Sequence, residues 1–179
     1  MPTEWPPGAP KPGEQAADLD LLDEAGRPAT LSSLAGGRPL LVLVFRSPRD
    51  ESGLRMLLDY RDLTMLLRRA GVSLCAITVA EPAALRFLRG ERGLGFPMLA
   101  DPDGTALSRW GMLDRNALFV LDRSLRVRQR ALGDRAPATT MLSFVRRGGA
   151  GGKRPAWVDR VRVFLHAVNH ALRPRRLAK

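Results

Sequence analysis

The sequence predicts an α/β fold, a three-layer sandwich in which a mixed central β-sheet is flanked by helices. The continuously apolar run Leu40–Phe45 and the largely apolar VSLCAITVA at 72–80 have the composition of strands covered on both faces, and a helical pattern separates them. Strands joined in this way pair in parallel through a crossover connection. Farther on, ALFVLD and LRVRQRAL flank Arg123-Ser124 and read as an antiparallel hairpin. A parallel half joined to an antiparallel half gives a mixed sheet. At 179 residues and 45% apolar composition, the chain is long enough for one domain with appendages and a substantial core.

Taken in order, residues 1–16 are rich in Pro and Gly, lack an apolar period and read as a flexible arm. The domain itself is expected over 17–147. DLDLLD at 18–23 alternates, EAGRP supplies a turn, and a small helix follows around Leu31–Ala35. After the first buried strand, a single long helix is expected over 52–70, stopped by Arg68, Arg69 and Gly71. A short helix at 81–93 carries Pro82 in its first turn. FPMLADPDG is an extended piece closed by an Asp-Pro-Asp-Gly turn, and TALSRWGM adds a helical turn. In the hairpin, Arg126, Arg128 and Arg130 fall on one face, which is expected to be wet. A helix at 136–147 and a Gly-rich linker at 148–154 complete this part.

The tail, 155–179, places Trp157, Val161, Phe164, Leu165, Val168 and Leu172 along one helical stripe. Of the formal +11, residues 153–179 supply a surplus of seven, eight basic side chains against Asp159 alone. Trp157, Arg160, Arg162, Phe164, Arg173, Arg175 and Arg176 are therefore the expected partner or membrane contacts. The preferred occupant is a protein partner or a second copy of the chain; an anionic membrane surface is the alternative. Nucleic acid is disfavoured because no recognised module accompanies the charge. His166 and His170 are spaced like metal ligands but lack a third, so neither metal nor cofactor is expected.

The start MPTEWPPGAPKPGEQ has neither the basic beginning nor the apolar core of a signal peptide, and no apolar run is long enough to span a bilayer. A cytoplasmic location is expected, with the membrane periphery as the variant the tail allows. One cysteine, Cys75, excludes an internal disulfide and a structural zinc site.

The blocks ADLDLLDEAGRPATLSSLAGGRPLLVLVFRS, GVSLCAITVAEPAALRFL, GFPMLADPDGTALSRWGM and ALFVLDRSLRVRQRALGD, in that order, resemble the peroxiredoxin-like branch of the thioredoxin fold. This is the alkyl hydroperoxide reductase and thiol-specific antioxidant family, and the resemblance covers roughly 17–147. It implies a peroxidatic cysteine in the first turn of the helix after the first buried strand, with a Thr or Ser hydroxyl three residues earlier. Aligned this way, Ser47 takes the hydroxyl position, Asp50 the cysteine, Glu51 the usual proline, and Gly53 the second cysteine of CxxC variants. Before the FVLD strand, where the family tends to place an arginine or a cis-proline, stand Arg115, Asn116 and Ala117. Arg46, Arg49, Arg115 and Asn116 are candidates for a pocket around these vestigial positions.

An aspartate cannot attack a peroxide oxygen as a thiolate does, nor cycle through a sulfenic acid. The resemblance therefore implies a family member without thiol peroxidase activity, acting as a binding or scaffold domain. The alternative is a residual thiol-dependent oxidoreductase that uses Cys75 or a partner's thiol. Cys75 lies within an apolar strand, where a thiol usually serves as core packing.

Overall fold

The computed structural model describes residues 4–69 and 71–133; the expected helix at 136–147, the linker at 148–154 and the basic tail lie outside them. The described residues form a seven-stranded mixed sheet. Its strands are β1 (Asp20–Leu22), β2 (Pro28–Thr30), β3 (Leu40–Val44), β4 (Ser73–Thr78), β5 (Met98–Ala100), β6 (Ala117–Leu121) and β7 (Val127–Leu132), in the order β2-β1-β5-β4-β3-β6-β7. β3 runs parallel to β4, and β4 to β5. β6 and β7 are antiparallel additions on one side and the β1–β2 hairpin on the other.

Alternation along β3 separates two cores. Leu41, Leu43 and Phe45 face α2 (Glu51–Arg61), α3 (Thr64–Arg69) and α4 (Pro82–Arg92), packing with Met56, Leu57, Tyr60 and Leu85. Leu40, Val42 and Val44 face the other way, toward α1 (Leu31–Ala35), α5 (Thr105–Arg109) and Trp110. Each such side chain, fully withdrawn from water, contributes about 1.5–3 kcal/mol before entropy is counted. Cys75 belongs to the second core. It is thus on the opposite face of the sheet from α2.

Three expectations change. The single helix over 52–70 is two helices, broken at Asp62-Leu63. The Thr64 hydroxyl donates to the Tyr60 carbonyl at 3.0 Å, a side-chain bond that competes with the regular ladder and bends the chain.

The arginine face of the hairpin is exposed at Arg126 and Arg128, as expected, but Arg130 is half-buried against the arm expected to be flexible. Gly13 N donates to Val127 O, Val127 N to Glu14 O, and Ala16 N to Leu125 O. Arg130 lies 4.1 Å over the Trp5 ring and donates to the carbonyls of Ala9 and Pro10. Trp5 in turn meets Phe119 edge-on at 5.6 Å. Arg126 binds the Gly13 carbonyl, and Arg128 pairs with Asp122. Gly111 makes this docking possible: its φ is +62°, and a Cβ there would lie 2.5 Å from the Pro7 carbonyl.

The second hairpin strand starts later than the apolar pattern implies. Asp122 Oδ1 accepts from the Ser124 and Arg126 amides, so Leu125 (φ +57°) joins the turn and β7 begins at Val127. Among the described residues, no helix is long and apolar enough to cross a membrane.

Candidate functional site around Asp50

β3 ends at Val44, the fully buried Phe45 follows, and the chain turns through Arg46–Arg49 into α2. Asp50 is the N-cap of that helix: its extended backbone (φ −81°, ψ 110°) lets the carboxylate fold back, and Oδ2 accepts from Gly53 N at 2.9 Å. Short side chains with an acceptor oxygen do this well because the first helical N–H groups have no carbonyl of their own. The negative charge also meets the positive end of the helix dipole.

Three further groups converge on the same carboxylate. Asn116 Nδ2 donates to Oδ2 at 2.7 Å, the Ser52 hydroxyl donates to Oδ2 at 3.1 Å, and the Arg46 guanidinium pairs with Oδ1. Asn116 is itself fixed, since its Oδ1 accepts from Arg46 N at 2.8 Å and its Nδ2 also reaches the Ser52 hydroxyl at 2.6 Å. The Asp50 side chain is 7% exposed, that of Arg46 56%. Burial alone would raise this carboxyl's pKa. The hydrogen bonds from Asn116, Gly53, Arg46 and Ser52 together outweigh it and hold the group below the usual carboxylate value.

Gly53 is dictated by the same crowding. A Cβ there would stand 3.0 Å from Asp50 Oδ2 and 3.0 Å from Phe45 Cβ.

The other candidates are placed differently. Ser47 is half-buried; its hydroxyl accepts from Arg49 N at 3.1 Å and its carbonyl from Asp50 N, so it shapes the loop. Arg49 is exposed. Arg115 turns to Asp114 at 3.5 Å, and its buried Nη1 has no partner among the described residues. The proposed arginine pocket thus does not assemble as a set: only Arg46 and Asn116 reach Asp50, and the Arg46 charge is neutralised there. Cys75 is fully buried, and burial pushes its thiol up to about 12. The contact set Trp157, Arg160, Arg162, Phe164, Arg173, Arg175 and Arg176 lies outside the described residues.

Sequence reasoning named Asn116 but missed its bond to Asp50, made across 66 residues. Only the Asp-x-x-Gly spacing at 50–53 signalled the cap. Among the described residues, no group of three or more His, Cys, Asp or Glu side chains could hold a metal ion.

This arrangement can hold an anion rigidly at a helix start, but its donors are already committed to a carboxylate of the chain itself. Residues 12–130 match the family model described as AhpC/TSA family. A Mycobacterium tuberculosis protein classed as a peroxiredoxin is 28% identical over 108 residues, 60% of this chain and 68% of that protein. Among solved structures, peroxidoxin BcpB of the same organism superposes with a TM-score of 0.66 at 20% identity, over 89% of this chain and 98% of that one. Peroxiredoxin Q of Xanthomonas campestris gives 0.59 at 17% identity, covering 83% and 90%.

Proposed function

The chain belongs to the AhpC/TSA family, with a peroxiredoxin-like thioredoxin fold, and we propose that it is a member without thiol peroxidase activity that serves as a binding domain. One observation carries the reading: the helix start where the sequence resemblance expects a reactive thiolate holds the Asp50 carboxylate, saturated by Gly53, Ser52, Asn116 and Arg46. A carboxylate has no soft, oxidisable atom to offer a peroxide, and its charge is already compensated.

Two further observations count against relocated chemistry. Cys75 is the only thiol in the chain, and it is buried on the sheet face opposite α2. A thiolate is the reactive form, and an apolar interior opposes it. The apolar residues at helical spacing in the 155–179 sequence, Trp157, Val161, Phe164, Leu165, Val168 and Leu172, support a protein partner or a second copy as the binding target, and the basic charge there favours an acidic one.

The test is hydroperoxide consumption by the full chain with dithiothreitol, alongside Cys75→Ser. Loss of peroxide no faster than in buffer supports the reading; turnover above buffer overturns it. Light scattering of the full chain across a salt series tests self-association.

A further inference from the structure

The N-terminal ends of β3, β4 and β5 frame a cavity of about 200 Å³. Because these strands are parallel, it lies at the opposite end of the sheet from Asp50, which follows the C-terminal end of β3. Its lining is mixed: Leu34 from α1 and Pro97 before β5 are half-buried and present apolar surface, while Val72 and Leu74 at β4 and Phe96 before β5 are almost fully buried. Two cations stand at it, Arg38 just before β3 and Arg68 on α3.

The charge balance is one-sided. No acidic residue lines the cavity, and neither Arg38 nor Arg68 pairs with a carboxylate among the described residues. Arg46, Arg89 and Arg128 each have their own acidic partner. Like charges set against a low-dielectric concavity concentrate positive potential there. The two hydroxyls present add no donor to this, since Thr64 donates to the Tyr60 carbonyl and Ser73 to the Ala35 carbonyl. Recognition is left to the guanidiniums and the apolar wall.

We propose that this cavity binds a small organic anion, its carboxylate or phosphate head held by Arg38 and Arg68 and a small apolar body against Leu34 and Pro97. Guanidinium forks match the planar or tetrahedral oxygens of such a head, and a few polar anchors on an apolar wall are the usual make-up of a small-molecule site. The site is separate from the Asp50 network and does not depend on the loss of thiol chemistry.

The test is a titration of the full ¹⁵N-labelled chain, followed by amide chemical shifts, with phenyl phosphate, benzoate, benzyl alcohol and inorganic phosphate. Phenyl phosphate or benzoate is expected to move the amides of Val72, Ser73, Leu74, Gly95 and Phe96. The double variant Arg38→Gln/Arg68→Gln is expected to weaken that binding by about tenfold or more, while Arg55→Gln, an exposed arginine outside the cavity, leaves it unchanged. The two heads distinguish a carboxylate ligand from a phosphate one. Unmoved amides at millimolar probe, equal affinity in the double variant, or equal affinity for benzyl alcohol would each overturn the proposal. Inorganic phosphate binding as tightly as phenyl phosphate would remove its apolar half.

Discussion

Asn116 Nδ2 donates to Asp50 Oδ2 at 2.7 Å, tying the start of β6 to the start of α2 across 66 residues of chain. The bond fixes the helix N-terminus against the sheet.

Replacing Asp50 by Ala removes the cap and leaves the Asn116 amide and the Gly53 N–H without their acceptor. A loss of about 2–3 kcal/mol in unfolding free energy is expected, from a missing cap together with unsatisfied buried donors. Urea denaturation measures it, with Asp50→Asn expected to cost less because it keeps an acceptor oxygen.

The same carboxylate makes stability pH-dependent. Its pKa is lowered in the fold, so the unfolded chain binds the proton more readily, and the stabilisation is present above the unfolded value near 3.8. It is lost as pH falls through the folded value. The stability gap between the wild type and Asp50→Asn, followed by denaturation from pH 7 downward, is expected to hold to about pH 5 and then to narrow.

Gly53→Ala would ordinarily favour a helix by about 0.5–1 kcal/mol. Here the added methyl meets Asp50 Oδ2 and Phe45 Cβ at 3.0 Å each, so net destabilisation is expected. A lowered melting temperature with normal far-UV circular dichroism is the measurement.

The arm is expected to come loose in Arg130→Ala, which removes the cation over Trp5 and the donor to Ala9 and Pro10. Gly111→Ala should do the same by pressing a methyl on the Pro7 carbonyl. Faster cleavage after Glu14 by a glutamyl endopeptidase reports it in both.

Much of the architecture was legible because its signals are local. The runs at 40–45 and 74–77 are apolar at every step, and a strand buried on both faces demands that. The helix break was not legible: Leu63 and Thr64 fit the apolar period, and only the Thr64 hydroxyl's bond to Tyr60 shows why it ends. The docked arm was hidden for a similar reason. Prolines and glycines read as irregular backbone whether or not distant Arg130 and Phe119 wait to receive it.

The site divides in the same way. Asp50 at a helix start follows from sequence, but which of Arg46, Arg49 and Arg115 turns toward it depends on side-chain direction. Residue adjacency says nothing of that. Arg115 and Asn116 are neighbours, yet Arg115 pairs with Asp114 while Asn116 reaches Asp50.

With a single sulfhydryl in the chain, any thiol cycle must pass through Cys75 or borrow a sulfur from outside. The direct measurement is the mass of the intact protein after native exposure to hydrogen peroxide with dimedone, which adds to sulfenic acids. The expected result is no dimedone adduct, with Cys75 open to alkylation only after denaturation, because the thiol is fully buried and the apolar interior opposes its thiolate. A dimedone adduct on Cys75 of the folded chain, accompanied by peroxide loss that Cys75→Ser abolishes, would contradict the account.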